Sequence, residues 1–350
     1  MGRGHSIPLA GRLAVGRSAL RRGALIIALI SGLWADVDGA RSAEELVVYS
    51  GRKEVAVKPI VEAFQKKTGI PVKFKTGTTT GLAHELIQEK ARPRADVFIA
   101  TEVGVMEIIA KNGVLDKYVS PEAKGLEPGT SDRKGLWTGI SSRARVLLYN
   151  KNLVAENDVP RSVFPLTDPK WKGKVAIAGT RERTTLSWVS SLMVAKGADF
   201  TKQYLKQLYA NGLKILPDNA DVWQGVGRGE FAIGLTNSPN YFLARKAGYP
   251  VGVVYPDQKD GEVGTLLNLN AIALVKGAQH PGAAKRFIDF VLSAAGQRIL
   301  IDGAYEIPLR PDIIDLVPLT GFRQTPITEE QLAELAEPTL KLLAEIGPEW

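Results

Sequence analysis

Cysteine is absent from the 350 residues, so the chain has no disulfide, no thiol nucleophile and no cysteine to take a lipid anchor. Histidine is scarce. His5, His84 and His280 are the three, too few for a histidine-based metal site. The Gly-x-Ser-x-Gly elbow is missing, and neither His84 nor His280 ends a strand-like run. A nucleophile, base and orienting acid are therefore not assembled. Glu102 does follow a strand-like run, but one carboxylate is not a mechanism. No enzymatic activity and no cofactor are expected. The glycine-rich stretch Gly225–Gly229 lacks the preceding strand and third-glycine spacing of a dinucleotide site, and reads as a helix end and turn. No repeat of 20–50 residues is found.

What is present is the composition of a globular protein, 45% hydrophobic and 23% charged, on a chain long enough for two domains. Residues 1–42 read as a secretion leader. Arg3, Arg12, Arg17, Arg21 and Arg22 form its basic part and Gly23–Trp34 a short apolar core. Ala40-Arg41-Ser42 puts small residues at the cleavage positions, near Ala43. The apolar run is short for a bilayer span. Arg21-Arg22 lacks the surrounding twin-arginine pattern, which favours the general export route. The net charge of +8 shrinks when the leader's six arginines and two aspartates are set aside. It leaves 39 basic against 35 acidic residues, net +4. No basic block marks a nucleic-acid surface. A soluble monomer in a periplasm-like compartment is expected.

From Leu46 to about Ala110, strand and helix patterns alternate, predicting a mostly parallel sheet with helices on both faces. Leu46-Val47-Val48-Tyr49 ends in Ser50-Gly51-Arg52-Lys53, Pro71–Lys75 runs into Thr76–Gly81, and Asp96–Ala100 ends in Thr101-Glu102. Small polar donors and cations thus gather at strand ends, where open α/β sheets bind ligands. Helices are predicted at 55–67, 82–90, 104–112, 187–196, 200–211, 220–227, 240–247, 281–293 and 328–346. A crossing into a second lobe is expected near 137–150, and a return near 265–275. The first lobe would comprise 43–140 and 266–310, the second 141–265, with a helical segment at 311–350 packing on both. Such two-crossing proteins hinge and close on a ligand.

Several short motifs occur in order: Val48-Tyr49-Ser50-Gly51, Ala63-Phe64 through Thr68-Gly69-Ile70, Ala95-Asp96-Val97-Phe98, Arg143-Ala144-Arg145-Val146 through Tyr149-Asn150-Lys151, Asp168–Lys174, Gly229-Glu230 and Ile307-Pro308-Leu309-Arg310. With them, residues 45–314 resemble the periplasmic solute-binding proteins of ABC importers, in the ferric-iron-binding branch. The resemblance implies an α/β, two-lobed type II periplasmic-binding fold with two hinge crossings, which hands its ligand to a membrane permease. Presentation of the ligand to a membrane sensor is the other reading. Members that bind bare ferric iron place a tyrosine pair just after an Asn. Here Asn237 is followed by Ser238-Pro239, with Tyr241 further on and alone. The first-lobe histidine of some members corresponds to Lys53, and their second-loop carboxylate to Thr80. Ferric iron wants anionic oxygen donors, which these residues do not supply.

The positions aligned with the family's cleft are Ser50, Arg52 and Lys53 in the first loop, then Thr78, Thr79 and Thr80 in the second. The second lobe contributes Thr180, Arg181, Arg183, Thr184 and Thr185, in the loop that holds the accompanying anion in ferric members. Asn219 and Asn237 match the assisting asparagines there. Arg143 and Arg145 lie in the crossing, one facing the cleft and the other paired outside it. Tyr241 reads as core packing or as a contact, and Trp137, Trp188 and Trp223 read as packing residues, with Trp188 the better placed of the three for a stacking contact. Arg181-Glu182-Arg183 also fits a solvated face, and Thr78–Thr80 also fit helix caps. Arginine forks suit carboxylate or phosphoryl oxygens. The ligand is read as a small anion (phosphonate, sugar phosphate or carboxylate), a metal-anion chelate, or ferric iron held by non-standard ligands.

Overall fold

The computed structural model describes residues 45–126, 129–316 and 323–350. The leader predicted at 1–42 lies outside them. Ten strands and ten α-helices are described. In chain order they are β1 (Leu46–Ser50), α1 (Glu54–Thr68), β2 (Val72–Thr76), α2 (Thr79–Gln88), β3 (Val97–Ala100), α3 (Val103–Lys111), β4 (Leu115–Asp116) and β5 (Thr138–Asn150). There follow β6 (Val175–Ala178), α4 (Arg183–Lys196), α5 (Ala198–Ala210), β7 (Lys214–Leu216), α6 (Asn219–Arg228), β8 (Ile233–Asn237), α7 (Ser238–Lys246) and β9 (Val251–Val254). The last are β10 (Leu267–Val275), α8 (Pro281–Leu292), α9 (Ala294–Ala304) and α10 (Glu329–Ala344).

The strand order is β2-β1-β3-β10-β5-β8-β6-β7, with β4 beside β10 and β9 beside β5. β1 is parallel to β2 and β3, and β6 is parallel to β7 and β8. β10 runs antiparallel to β3, and β5 antiparallel to β10, β8 and β9. The 13-residue β5 changes partner midway. Ala144 faces Leu267 of β10, and Arg145 faces Asn237 of β8.

Local chemistry explains most element ends. α1 stops at Gly69, whose φ of 73° places it in the left-handed region that glycine enters at little cost. α2 begins at Thr79, earlier than its apolar period suggests, because Thr78 caps it by accepting the Gly81 N–H at 3.1 Å. α9 was not anticipated. Ser293 ends α8 and at once caps the next helix through the Gly296 N–H, so one apolar run contains two helices. β7, β8 and β9 also escaped the pattern, being three to five residues long. α4 starts at Arg183, not near 187, because buried Thr184 and Thr185 break the apolar signal of its first turn.

On either side of the partner change lies apolar packing of its own. Around β1 and β3, Phe64 meets Phe287 edge-on, with ring centroids 5.1 Å apart and planes at 90°, and both rings are fully buried. Around β6 and β8, Ile177, Val189, Leu205, Ile233 and Leu235 form the second cluster, joined by Leu332, Leu342 and Leu343 from α10. At another edge, Phe242 of α7 stacks on Tyr305 beyond α9, with planes at 14° and centroids at 5.2 Å.

Phe287→Ala is expected to lower unfolding stability by about 3–5 kcal/mol, since it removes a large buried ring and leaves a cavity. A urea titration with unchanged slope would show this. A loss under about 1 kcal/mol would mean that the site collapses around the deletion.

Candidate functional site

The carboxyl ends of β1, β3, β6 and β8, the N-termini of α2, α4 and α6, and the middle of β5 bring most of the predicted residues to one region. In a strand, residues two apart share a face. Arg143 and Arg145 therefore project from the same side of β5 while belonging to the two sets of strand partners.

Arg143 and Arg145 were expected to divide between the cleft and a pairing outside it; neither has a carboxylate partner among the described residues, and Arg145 takes the central place. It is 1% exposed. Its Nη1 donates to Asn219 Oδ1 at 3.1 Å and Asn237 Oδ1 at 3.3 Å, and its Nη2 to Thr185 Oγ1 at 3.0 Å. Thr184 Oγ1 lies 3.5 Å from Nη1. Among the described residues every hydrogen-bond partner of this guanidinium is a neutral oxygen, and its Nε has none. Burial, and then the nearby Arg143, lower its pKa to about 9, against the opposing pull of Glu182. An ion without a counter-charge in a dry site costs several kcal/mol. The strand ends hold that cost in place by orienting their amide and hydroxyl oxygens toward the fork. Thr185 also donates to Ala178 O at 2.9 Å, and Thr236 to Asn219 Oδ1 at 3.2 Å.

Arg143 is half-buried. Its Nη2 donates to Thr101 O at 2.6 Å, while its Nε is buried without a partner among the described residues. Thr101 Oγ1 lies 2.7 Å from Thr79 Oγ1, so Thr79 joins this side of the region. Gly51 makes that approach possible, since a Cβ there would collide with Thr79 Oγ1.

Arg52 and Arg183 have carboxylate partners. Arg52, 3% exposed, is bound through Nη1 to Glu306 Oε2 at 2.9 Å. Glu306 also accepts from Ser141 at 2.5 Å. Nε and Nη2 of Arg52 are buried and have no partner among the described residues. Arg183 Nε is 2.9 Å from Glu102 Oε2. Burial raises the Glu102 pKa, with Arg183 and Arg143 opposing the shift.

The remaining predicted residues stand apart from this constellation. Ser50 Oγ accepts the Arg52 N–H at 3.1 Å and shapes the loop. Lys53, Thr78, Thr80 and Arg181 are exposed. Thr180 Oγ1 donates to Trp350 O at 2.7 Å. Tyr241 is half-buried, its hydroxyl accepting from Arg245 at 3.1 Å. Trp188, read first as packing and second as a stacking contact, is 4% exposed inside the β6–β8 apolar cluster, so it packs. Glu306 and Ser141 were missed. Neither belongs to a motif, and the bonds of Glu306 to Arg52, 254 residues earlier, and to Ser141, 165 residues earlier, leave no local trace.

Among the described residues no cluster of three or more histidine, aspartate or glutamate side chains could hold a metal ion. No helix among them is long and apolar enough to cross a membrane.

The family described as bacterial extracellular solute-binding protein matches residues 59–323. The major ferric iron-binding protein of Neisseria meningitidis serogroup A is 28% identical over 313 residues, covering 87% of this chain and 93% of that protein. The Fe(3+)-binding periplasmic protein of Serratia marcescens is 25% identical over 330 residues, covering 92% and 96%. The structure of iron-bound HitA from Pseudomonas aeruginosa matches with a TM-score of 0.79 at 30% identity, over 87% of this chain and 99% of that one. The two-lobed type II periplasmic-binding fold follows from these likenesses and from the strand order.

Arg145→Met keeps the side-chain bulk and removes the uncompensated charge. The melting temperature of the ligand-free protein is expected to stay level or rise, because apolar replacement of a buried ion is often neutral or stabilising. Calorimetry checks this. A fall of more than about 5 °C would show that the bonds to Asn219 and Thr185 hold the strand ends together.

Proposed function

The chain belongs to the bacterial extracellular solute-binding protein family, and on that premise we propose that it is an exported, monomeric binding component of an ABC importer whose cargo is a small anion. The lobes meet where β5 changes partner, at 144/145, and where β10 begins, at 266/267. The ligand sits between the strand ends they present and is passed to an inner-membrane permease. One observation carries the choice of cargo: Arg145 is a buried cation that finds only neutral oxygens among the described residues. An anion seated against its free Nε would supply the missing charge, with charge-assisted bonds stronger than neutral ones. Arg143 Nε and the free nitrogens of Arg52 add further donors. Phosphonate, phosphate-ester and carboxylate groups all present oxygens to which a guanidinium fork can bond.

The relatives' names favour a second reading, ferric iron as cargo. The donor chemistry speaks against iron bound bare. Ser238 and Pro239 follow Asn237, and guanidinium groups repel a hard trication. Iron chelated by an anion is compatible with the same arginines.

The test is a thermal-shift series on metal-stripped protein with phosphate, phosphonates, sugar phosphates and small carboxylates, and in parallel ferric salts with and without citrate. A ligand that binds only the folded state raises the melting temperature by mass action. At least one anion is expected to do so without iron. Arg145→Met should weaken that ligand by about 2–5 kcal/mol, roughly 30-fold or more. A shift that appears only with iron present would replace the anion reading with the ferric one.

A further inference from the structure

α10 packs across both sides of the partner change. Ala333 lies 3.9 Å from the position a Cβ on Gly104 of α3 would take. On the other side, Thr339 Oγ1 is 2.8 Å from Ser190 Oγ of α4, and Leu332, Leu342 and Leu343 join the β6–β8 cluster. A capping box between Thr328 and Gln331 starts the helix. Glu329, in its first turn, lies where α3, α4 and β10 converge.

A cavity of about 20 Å³ lies at that point, lined among others by Glu102, Arg183, Asn268 and Glu329. It has room for one water molecule. Its hydrogen-bonding groups do not balance. Asn268 is 3% exposed, and its Oδ1 has no partner among the described residues. Glu102 is an acceptor already bonded to Arg183. An ionised Glu329 would add one more acceptor, whereas a protonated one is a donor. The carboxylates facing Glu329 have the same bias, and the Arg183 guanidinium in the same lining is bonded to Glu102. Glu102 and Glu107, from the β3–α3 side, both oppose its ionisation. Glu107 is held by Trp137 Nε1 at 2.8 Å. From α4 and β5, Arg183 and Arg143 act on Glu102, with Glu182 opposing them. From β10 the backbone of Leu269 bonds to Glu329 and favours its ionised form, opposing burial and the two carboxylates.

We propose that Glu329 is a proton-controlled seat for α10: protonated, it lets the helix dock across α3 and α4, and ionised, it loosens that end of the helix from the Glu102–Arg183 pair. The device acts in the ligand-free chain and does not depend on the identity of the cargo.

Burial, and then Glu102, raise the Glu329 pKa to about 8. The seated helix therefore holds its proton more tightly than a free glutamate does. Docking is strongest below the ordinary glutamate value, weakens as pH rises toward about 8, and is level above it.

Backbone amide exchange on the ligand-free, full chain tests this, corrected for intrinsic exchange and compared with α8. Protection of 332–344 is expected to fall between pH 5 and 8 by as much as about tenfold per pH unit, the limit set by one proton. Glu329→Gln, a neutral donor at every pH, should remove the slope and keep the low-pH protection. A flat wild-type profile, or a slope that survives in the glutamine variant, would overturn the proposal. If that variant does not fold, a carboxyl carbon-13 titration of the wild type decides. A Glu329 midpoint near 8 supports the seat, and one in the ordinary carboxylate range removes it.

Discussion

One strand serves two sets of partners, and much of the site follows from that constraint. β5 pairs with β10 up to Ala144 and with β8 and β9 from Arg145 onward. Consecutive odd positions on it, 143 and 145, therefore face the same way but are held by different halves of the molecule. Arg143 reaches Thr101 just beyond β3, and Arg145 reaches the end of β8 and the first turns of α4 and α6. A ligand touching both would be bonded to the hinge itself, so closure and recognition would share the same atoms.

The arginines divide by their counter-charges. Arg52 and Arg183 face Glu306 and Glu102 at 2.9 Å each, so their charge is largely met within the protein. Arg145 meets only amide and hydroxyl oxygens. Neutral acceptors offset part of the desolvation of a guanidinium but leave its charge in a low-dielectric surrounding. The paired arginines thus shape the loops, while Arg145, with Arg143 beside it on a carbonyl alone, supplies the electrostatic demand. Reading all four as equivalent anion binders would blur that difference.

Much of the architecture was legible because its signals are local. Apolar β-formers ending in Ser-Gly or Thr-Glu, a helix closed by Gly69, and the amphipathic run at 281–293 are each visible within about a dozen residues. The order of short motifs added the fold family. The site was only half legible. Asn219, Asn237, Thr184 and Thr79 were marked by the resemblance, and they do sit at element starts or strand ends. The choice between Arg143 and Arg145 depends on a partner change encoded by contacts almost a hundred residues away. The short strands β7 to β9 carried too few residues for a period to show.

The two aromatic pairs differ in what they permit mechanically. Phe64 and Phe287 meet edge to face within a buried core, so each ring blocks translation of the other. Phe242 and Tyr305 lie almost flat against each other, at the edge between α7 and the end of α9. Flat rings can slide in their common plane while keeping most of their overlap, much as layers do in a lubricant. Displacement within the ring plane therefore costs less contact at this edge than displacement across it.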